Sequence, residues 1–220
     1  MLPKLLTEFI GTFFLVLTIG LTVLIGTEFA PIAIGCVLMV MVYMGGHISG
    51  AHYNPAVTLA VWLRGRVGST EGGFYIAAQL AAALVAALVV YLVNDRTLDV
   101  APAAETSLFE FFLLELLFTF ALALVVLNVA TARATEGNSY YGLAIGFTVL
   151  AGAFAAGPIS GGAFNPAVAL GPIVVDALLG DGSSLGGLWV YLVACFAGGA
   201  LAAFVFNAQH PGEARGPAEG

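Results

Sequence analysis

The chain has 220 residues, 60% of them hydrophobic and only 9% charged, with a formal net charge of -7 and a mean hydropathy of +1.03. Soluble domains carry about 45–50% apolar and about 25% charged residues, so this chain lacks the polar groups to cover a surface in water, and lipid is its natural solvent. No basic patch points to nucleic acid, and no nucleophile–base pair or metal-ligand cluster points to an enzyme or a cofactor.

Six long apolar segments follow one another at residues 5–25, 31–44, 74–93, 108–130, 140–154 and 188–206. A helix that crosses the hydrocarbon core needs roughly 20 residues. The first segment begins after Lys4 like a leader peptide, but Glu8 interrupts it early and a later segment copies its pattern, so it reads as a span. The second and fifth are short because they stop at glycine-rich sequence, and each can extend at its start. Two shorter pieces, residues 55–63 and 166–179, reach only about halfway across a core of roughly 30 Å. They are half-spans. Cys36 and Cys195 lie inside apolar runs without metal or redox spacing and read as packing residues. The tail at residues 210–220 reads as mobile.

An internal repeat organises these segments. Ala33-Ile34-Gly35 returns as Ala144-Ile145-Gly146, Ile48-Ser49-Gly50 as Ile159-Ser160-Gly161, and Asn54-Pro55-Ala56-Val57 as Asn165-Pro166-Ala167-Val168, all at an offset of 111 (165 − 54). Glu8-x-x-x-Thr12-Phe13 is matched more loosely by Glu115-x-x-x-Thr119-Phe120. The halves divide as residues 1–107 and 108–209. Each holds an odd number of spans, so the second begins on the opposite face and the repeats are inverted. The expected fold is an all-α membrane protein with six transmembrane helices and two re-entrant half-helices meeting at the midplane.

With six spans, Lys4, Arg64, Arg66, Arg133 and Arg215 share the side of the two chain ends, while Arg96 stands alone opposite, among Glu28, Asp95, Asp99, Glu105, Asp176 and Asp181. That bias places both termini in the cytoplasm.

Asparagine is a strong N-cap and proline suits the first helical position, so Asn54-Pro55-Ala56 and Asn165-Pro166-Ala167 mark half-helix starts. The preceding runs, residues 45–50 and 157–162, look too rich in glycine for ordinary helix. Irregular backbone at membrane depth survives only inside protein or beside a wet cavity. The carbonyls of Gly50, Ala51, His52 and Tyr53, and of Gly161, Gly162, Ala163 and Phe164, are therefore candidate water acceptors. Each half-helix N-terminus carries about half a positive charge, so two aimed at one point oppose cations and protons but not neutral molecules. Glu8 and Glu115 sit well inside spans. An intramembrane acid can be a proton relay, but their matched places favour a structural role, accepting from the N–H groups of the adjacent loops. His47 and His52 flank the first loop, with Pro158 and Ala163 as counterparts, and read as loop-packing residues.

On His47-Ile48-Ser49-Gly50-Ala51-His52-Tyr53-Asn54-Pro55-Ala56-Val57-Thr58, Gly161-Gly162-Ala163-Phe164-Asn165-Pro166-Ala167, Gly171-Pro172 and the paired glutamates, the chain resembles the aquaporin (major intrinsic protein) family over essentially its whole length. The resemblance implies a homotetramer with one pore per subunit, passing water or small neutral solutes without energy input. Family spacing implies an outer filter at Ile34, Ala153, Gly162 and Val168. Most members carry arginine where this chain has Val168, so the filter is expected to be wider and more apolar. Ala169 and the short loops depart from the glycerol-conducting pattern.

The leading expectation is a passive channel for water and small uncharged solutes such as urea, ammonia or peroxide, excluding ions and protons, in the plasma membrane. The alternatives are a solute facilitator with water incidental, and a non-conducting structural membrane protein. An alternating-access transporter also uses inverted repeats, but no ionisable pair lies at the expected midplane to bind a coupling ion.

Overall fold

A computed structural model describes residues 1–213 of the chain; Arg215 and the rest of the expected tail lie outside the described residues. Among the described residues six helices are long and apolar enough to cross a membrane. They are α1 (Leu2–Ile25), α2 (Ala30–Ser49), α4 (Ser69–Asn94), α5 (Leu108–Ala130), α6 (Tyr141–Ser160) and α8 (Leu188–Gln209). The two half-helices are α3 (Pro55–Leu63) and α7 (Pro166–Leu179).

The packing crosses the two halves. α2 lies on α6, α3 lies on α8, and α7 lies on α4, while α1 packs on α4 and α5 on α8. Small residues make the close crossings possible. A methyl group added to Gly35 would meet the Gly146 carbonyl oxygen at 2.8 Å, and one added to Gly146 would meet that of Gly35 at 2.5 Å. Lipid offers no hydrophobic drive between helices, so such backbone approach does the work of association.

The structure corrects the expected ends of the second and fifth spans. Both extend at their ends rather than their starts, through Ser49 and Ser160, so most of the glycine-rich sequence is helical. Between each of these spans and its half-helix only residues 50–54 and 161–165 are irregular. At membrane depth a helix satisfies its own backbone, which outweighs the weak helix propensity of glycine. The glycines serve packing instead: Gly11 and Gly45 leave the space that the Tyr53 ring fills.

The described start of the expected mobile tail is held in place. Pro211–Glu213 forms a 3₁₀ turn, and the Glu213 carboxylate accepts from Arg64 Nη2 at 2.7 Å and from the Arg133 backbone N–H at 3.0 Å. Arg64, at the end of α3, is buried and also lies 4.7 Å over the Phe206 ring.

Candidate functional site: a pore through the crossing of two half-helices

The site is built where α3 and α7 begin. Each asparagine caps its own helix, Asn54 Oδ1 accepting from the Ala56 N–H at 2.8 Å and Asn165 Oδ1 from the Ala167 N–H at 2.9 Å. Each amide then donates across the axis: Asn54 Nδ2 to the Phe164 carbonyl and Asn165 Nδ2 to the Tyr53 carbonyl, both at 2.9 Å. An amide NH₂ has two hydrogens. One is thus fixed by the opposite loop, and the second remains for a molecule in the lumen.

The loops that supply these carbonyls are strained in matched fashion. Gly50 and Gly161 both turn at φ 89°, and Tyr53 and Phe164 both take left-handed backbone, at φ 50° and 49°. Such residues cost of order 1–3 kcal/mol and persist only where the surroundings fix them. The fixing groups are the buried glutamates. Glu8 accepts from the N–H groups of His52 at 2.9 Å and Tyr53 at 2.7 Å, from Ser49 Oγ at 2.6 Å and from Gln79 Nε2 at 2.8 Å. Glu115 accepts from the N–H groups of Ala163 at 3.1 Å and Phe164 at 2.7 Å and from Ser160 Oγ at 2.7 Å. Each carboxylate thus accepts from two loop N–H groups and from the serine hydroxyl at the end of the preceding helix.

Several members of these networks carry no sequence signal at the offset of 111. Tyr75 and Tyr191 donate their hydroxyls to the Ser49 and Ser160 carbonyls, at 2.9 and 2.6 Å. Gln79 has Cys195 as its counterpart, whose Sγ lies 3.9 Å from Glu115. These pairs stand 116 residues apart (191 − 75). The connections around them differ in length between the halves, which breaks the register.

Two cavities flank the crossing. On the side opposite the chain ends, a cavity of about 340 Å³ is lined by Ile34, Ala153, Gly162 and Val168, the four expected filter positions, together with Asn54 and Asn165. Of the loop residues proposed as acceptors, Ala51, His52, Tyr53, Gly161, Gly162 and Ala163 reach this cavity, and Gly50 lines the other. Phe164 lines neither described cavity; its carbonyl is the one that holds Asn54. The apolar wall is itself repeated: Leu15 faces with Leu122, Val57 with Val168, and Leu38 with Val149. On the side of the chain ends, a wider cavity of about 720 Å³ is lined by Lys4, His47, Arg66, Glu71 and Arg133, among others. At the far mouth Asp99 is held above the ordinary carboxylate range, first by partial burial and then by the neighbouring Asp176 and Asp181. No group of residues able to hold a metal ion is found among those described.

Comparison with known proteins agrees with this architecture. The major intrinsic protein family model matches residues 1–206. The probable aquaporin NIP4-2 of Arabidopsis thaliana is 37% identical over 216 residues, covering 93% of this chain and 73% of that protein. Nodulin-26 of Glycine max is 36% identical over 219 residues, covering 94% and 77%. The aquaglyceroporin from Plasmodium falciparum superposes with a TM-score of 0.84 over 96% of this chain and 98% of its own, at 24% identity, a likeness of fold. With the matched half-helices, the braced loops and the family model in agreement, the chain belongs to the major intrinsic protein family.

Proposed function

We propose that the chain is a passive transmembrane channel for water and small uncharged solutes, among them urea, ammonia and peroxide, that excludes ions and protons. The observation that carries this reading is the reciprocal anchoring of Asn54 and Asn165, which leaves one amide hydrogen of each for a permeant oxygen between two cavities. Two half-helix N-termini point at the same place, so a cation or proton meets a fixed positive potential there while a neutral molecule does not. Ile34, Ala153, Gly162 and Val168 would form a filter without a charge or ring, and the wall beside it is aliphatic. The loop carbonyls, with Glu8 and Glu115 as braces, would receive the hydrogens of passing water.

The channel would sit in the cell membrane as a homotetramer with both termini cytoplasmic. Among the described residues, Lys4, Arg64, Arg66 and Arg133 gather on the side of the chain ends, as that orientation requires. The halves would divide at residues 1–107 and 108–209, a reading supported by α3 packing on α8 and α7 on α4 in matched fashion.

The test is stopped-flow swelling and shrinking of liposomes holding the purified protein, comparing water, glycerol, urea and ammonia with empty vesicles. Water permeability no higher than in empty vesicles would sink the channel. Flux that requires an ion gradient would favour a transporter instead. Val168→Arg should narrow the filter and lower urea flux relative to water.

A further inference from the structure

The two cavities share only three lining residues among those described: His52, Val126 and Ile145. All three are buried, at 8%, 5% and 4% exposure, and they are the side chains that stand where one cavity gives way to the other. At the far filter Ile34 and Val168 are equally buried, while Ala153 and Gly162 keep part of their surface open.

The repeat supplies the reason. In the register of 111 that carries α2 onto α6 and α3 onto α7, the far filter Ile34, Ala153, Gly162 and Val168 maps onto Ile145, Val42, Ala51 and Val57. All four counterparts line one of the two cavities. Two positions are unchanged and two are larger, valine standing for alanine at residue 42 and alanine for glycine at residue 51. His52 adds an imidazole where the other half has Ala163. Val126 runs the other way: in the offset of 107 (115 − 8) that carries Glu8 onto Glu115, its counterpart is Ile19, larger by a methylene group. The imidazole outweighs that difference, and the mirrored set carries the greater side-chain bulk.

His52 is also held rigidly. Its Nδ1 lies 3.1 Å from Thr58 Oγ1. That hydroxyl donates to the Asn54 carbonyl at 3.1 Å and accepts from Gln79 Nε2 at 3.0 Å. With its single proton assigned to the Asn54 carbonyl, Nδ1 is the donor of the pair. The ring packs edge-on against Tyr75, with centroids 5.2 Å apart. Nε2 is left as an acceptor, placed near Gly50 on the side of the wider cavity. The other half has no such network, because Ala163, Ala169 and Cys195 occupy the corresponding places.

We infer that size selection in this channel is made at a constriction of His52, Val126 and Ile145 on the side of the chain ends, and that His52 Nε2 is the acceptor a permeant meets there. This rests on the channel reading and names its substrate class. Small hydrogen-bond donors such as water and ammonia pass, whereas glycerol enters the far cavity and is held at the constriction.

The test compares Ile145→Ala and Val126→Ala with Ile34→Ala in proteoliposomes, reading the ratio of glycerol to water permeability for variants that elute and melt like the wild type. The constriction variants should raise the ratio several-fold, and Ile34→Ala by clearly less. His52→Ala should raise it too, while Ala153→Val, which gives the far filter the bulk already present at Val42, should lower it little. An equal or larger rise in Ile34→Ala than in both constriction variants would overturn the assignment. If the wild type passes no more water than empty vesicles, the channel reading falls, and the constriction then stands only if Ile145→Ala or Val126→Ala opens a flux that Ile34→Ala does not.

Discussion

Asn54 donates an amide hydrogen to the carbonyl of Phe164, 110 residues further along the chain, across a gap of 2.9 Å, and Asn165 returns the bond to Tyr53. The ends of the two half-helices are thereby fastened to one another and not merely aimed at the same point. Asn165→Ala removes a cap worth about 1 kcal/mol and leaves the buried Tyr53 carbonyl short of a donor, for a combined loss of roughly 2–4 kcal/mol. The expected outcome is a clearly lower melting temperature in detergent. Unchanged melting would mean that the crossed bond carries no strain-holding role.

Glu8 and Glu115 brace equivalent loops, but with unequal help. Glu8 has Gln79 as a strong extra donor at 2.8 Å, whereas Glu115 has only the Cys195 thiol at 3.9 Å. Removing either carboxylate by alanine strands two backbone N–H groups, at about 1–3 kcal/mol each. Glu8→Ala also strands one of the two Gln79 amide hydrogens and should cut the yield of monodisperse protein further than Glu115→Ala. Size-exclusion profiles after mild heating decide it.

The glycines divide into those that make contacts and those that do not. Gly171→Ala would drive a methyl group to within 2.6 Å of the Ala83 carbonyl oxygen, backbone that cannot move aside. Severe destabilisation is expected. Gly73, inside α4, has nothing within 4 Å of an added methyl group. Gly73→Ala should instead stabilise by up to about 1 kcal/mol through helix propensity. Thermal unfolding of the two variants side by side checks both signs.

Asp99 gives a prediction in pH. Its carboxyl is raised from an ordinary value of 3.8 by partial burial and by Asp176 and Asp181, so the folded protein favours the protonated form more than the unfolded chain does. Below the unfolded value both states are protonated and the group costs nothing. As pH rises from the unfolded value to the folded one the cost grows, and above the folded value it stays constant. Asp99→Asn should therefore raise the melting temperature at pH 7 and lose that advantage at acid pH.

The ion pair of Arg64 with Glu213 is nearly buried, with side-chain exposures of 2% and 13%. Breaking one partner of a buried pair typically costs about 3–5 kcal/mol, because the other charge is left without compensation. Glu213→Ala and a chain ending at Gln209 should both melt earlier, and by similar amounts. A truncated chain as stable as the full one would show that Arg64 finds another partner.

Much of this was legible in the residues. Asn-Pro at two places, in one register, is enough to set both half-helix starts, because capping chemistry is local, and the odd number of spans in each half sets their inversion. The ends of α2 and α6 were not legible. Propensity reads Gly45, Gly46 and Gly157 as breakers, and only the membrane setting and the packing of Tyr53 against Gly45 make helix the better solution there. Gln79, Tyr75 and Tyr191 escaped because their repeat is offset by 116. Glu213 escaped because nothing in a short Pro-Gly-Glu sequence announces that Arg64 is buried beneath it.

Gly35 and Gly146 occupy the same place in the two halves and also touch one another, each offering its carbonyl where the other's methyl group would go. That is the signature of an isologous contact, the kind a symmetric dimer makes at its two-fold axis. The seam between α2 and α6 is thus a dimer interface enclosed in a single chain. Each glycine on it answers for both faces of the joint, so a side chain gained at one cannot be relieved by trimming the other, which has none left to lose.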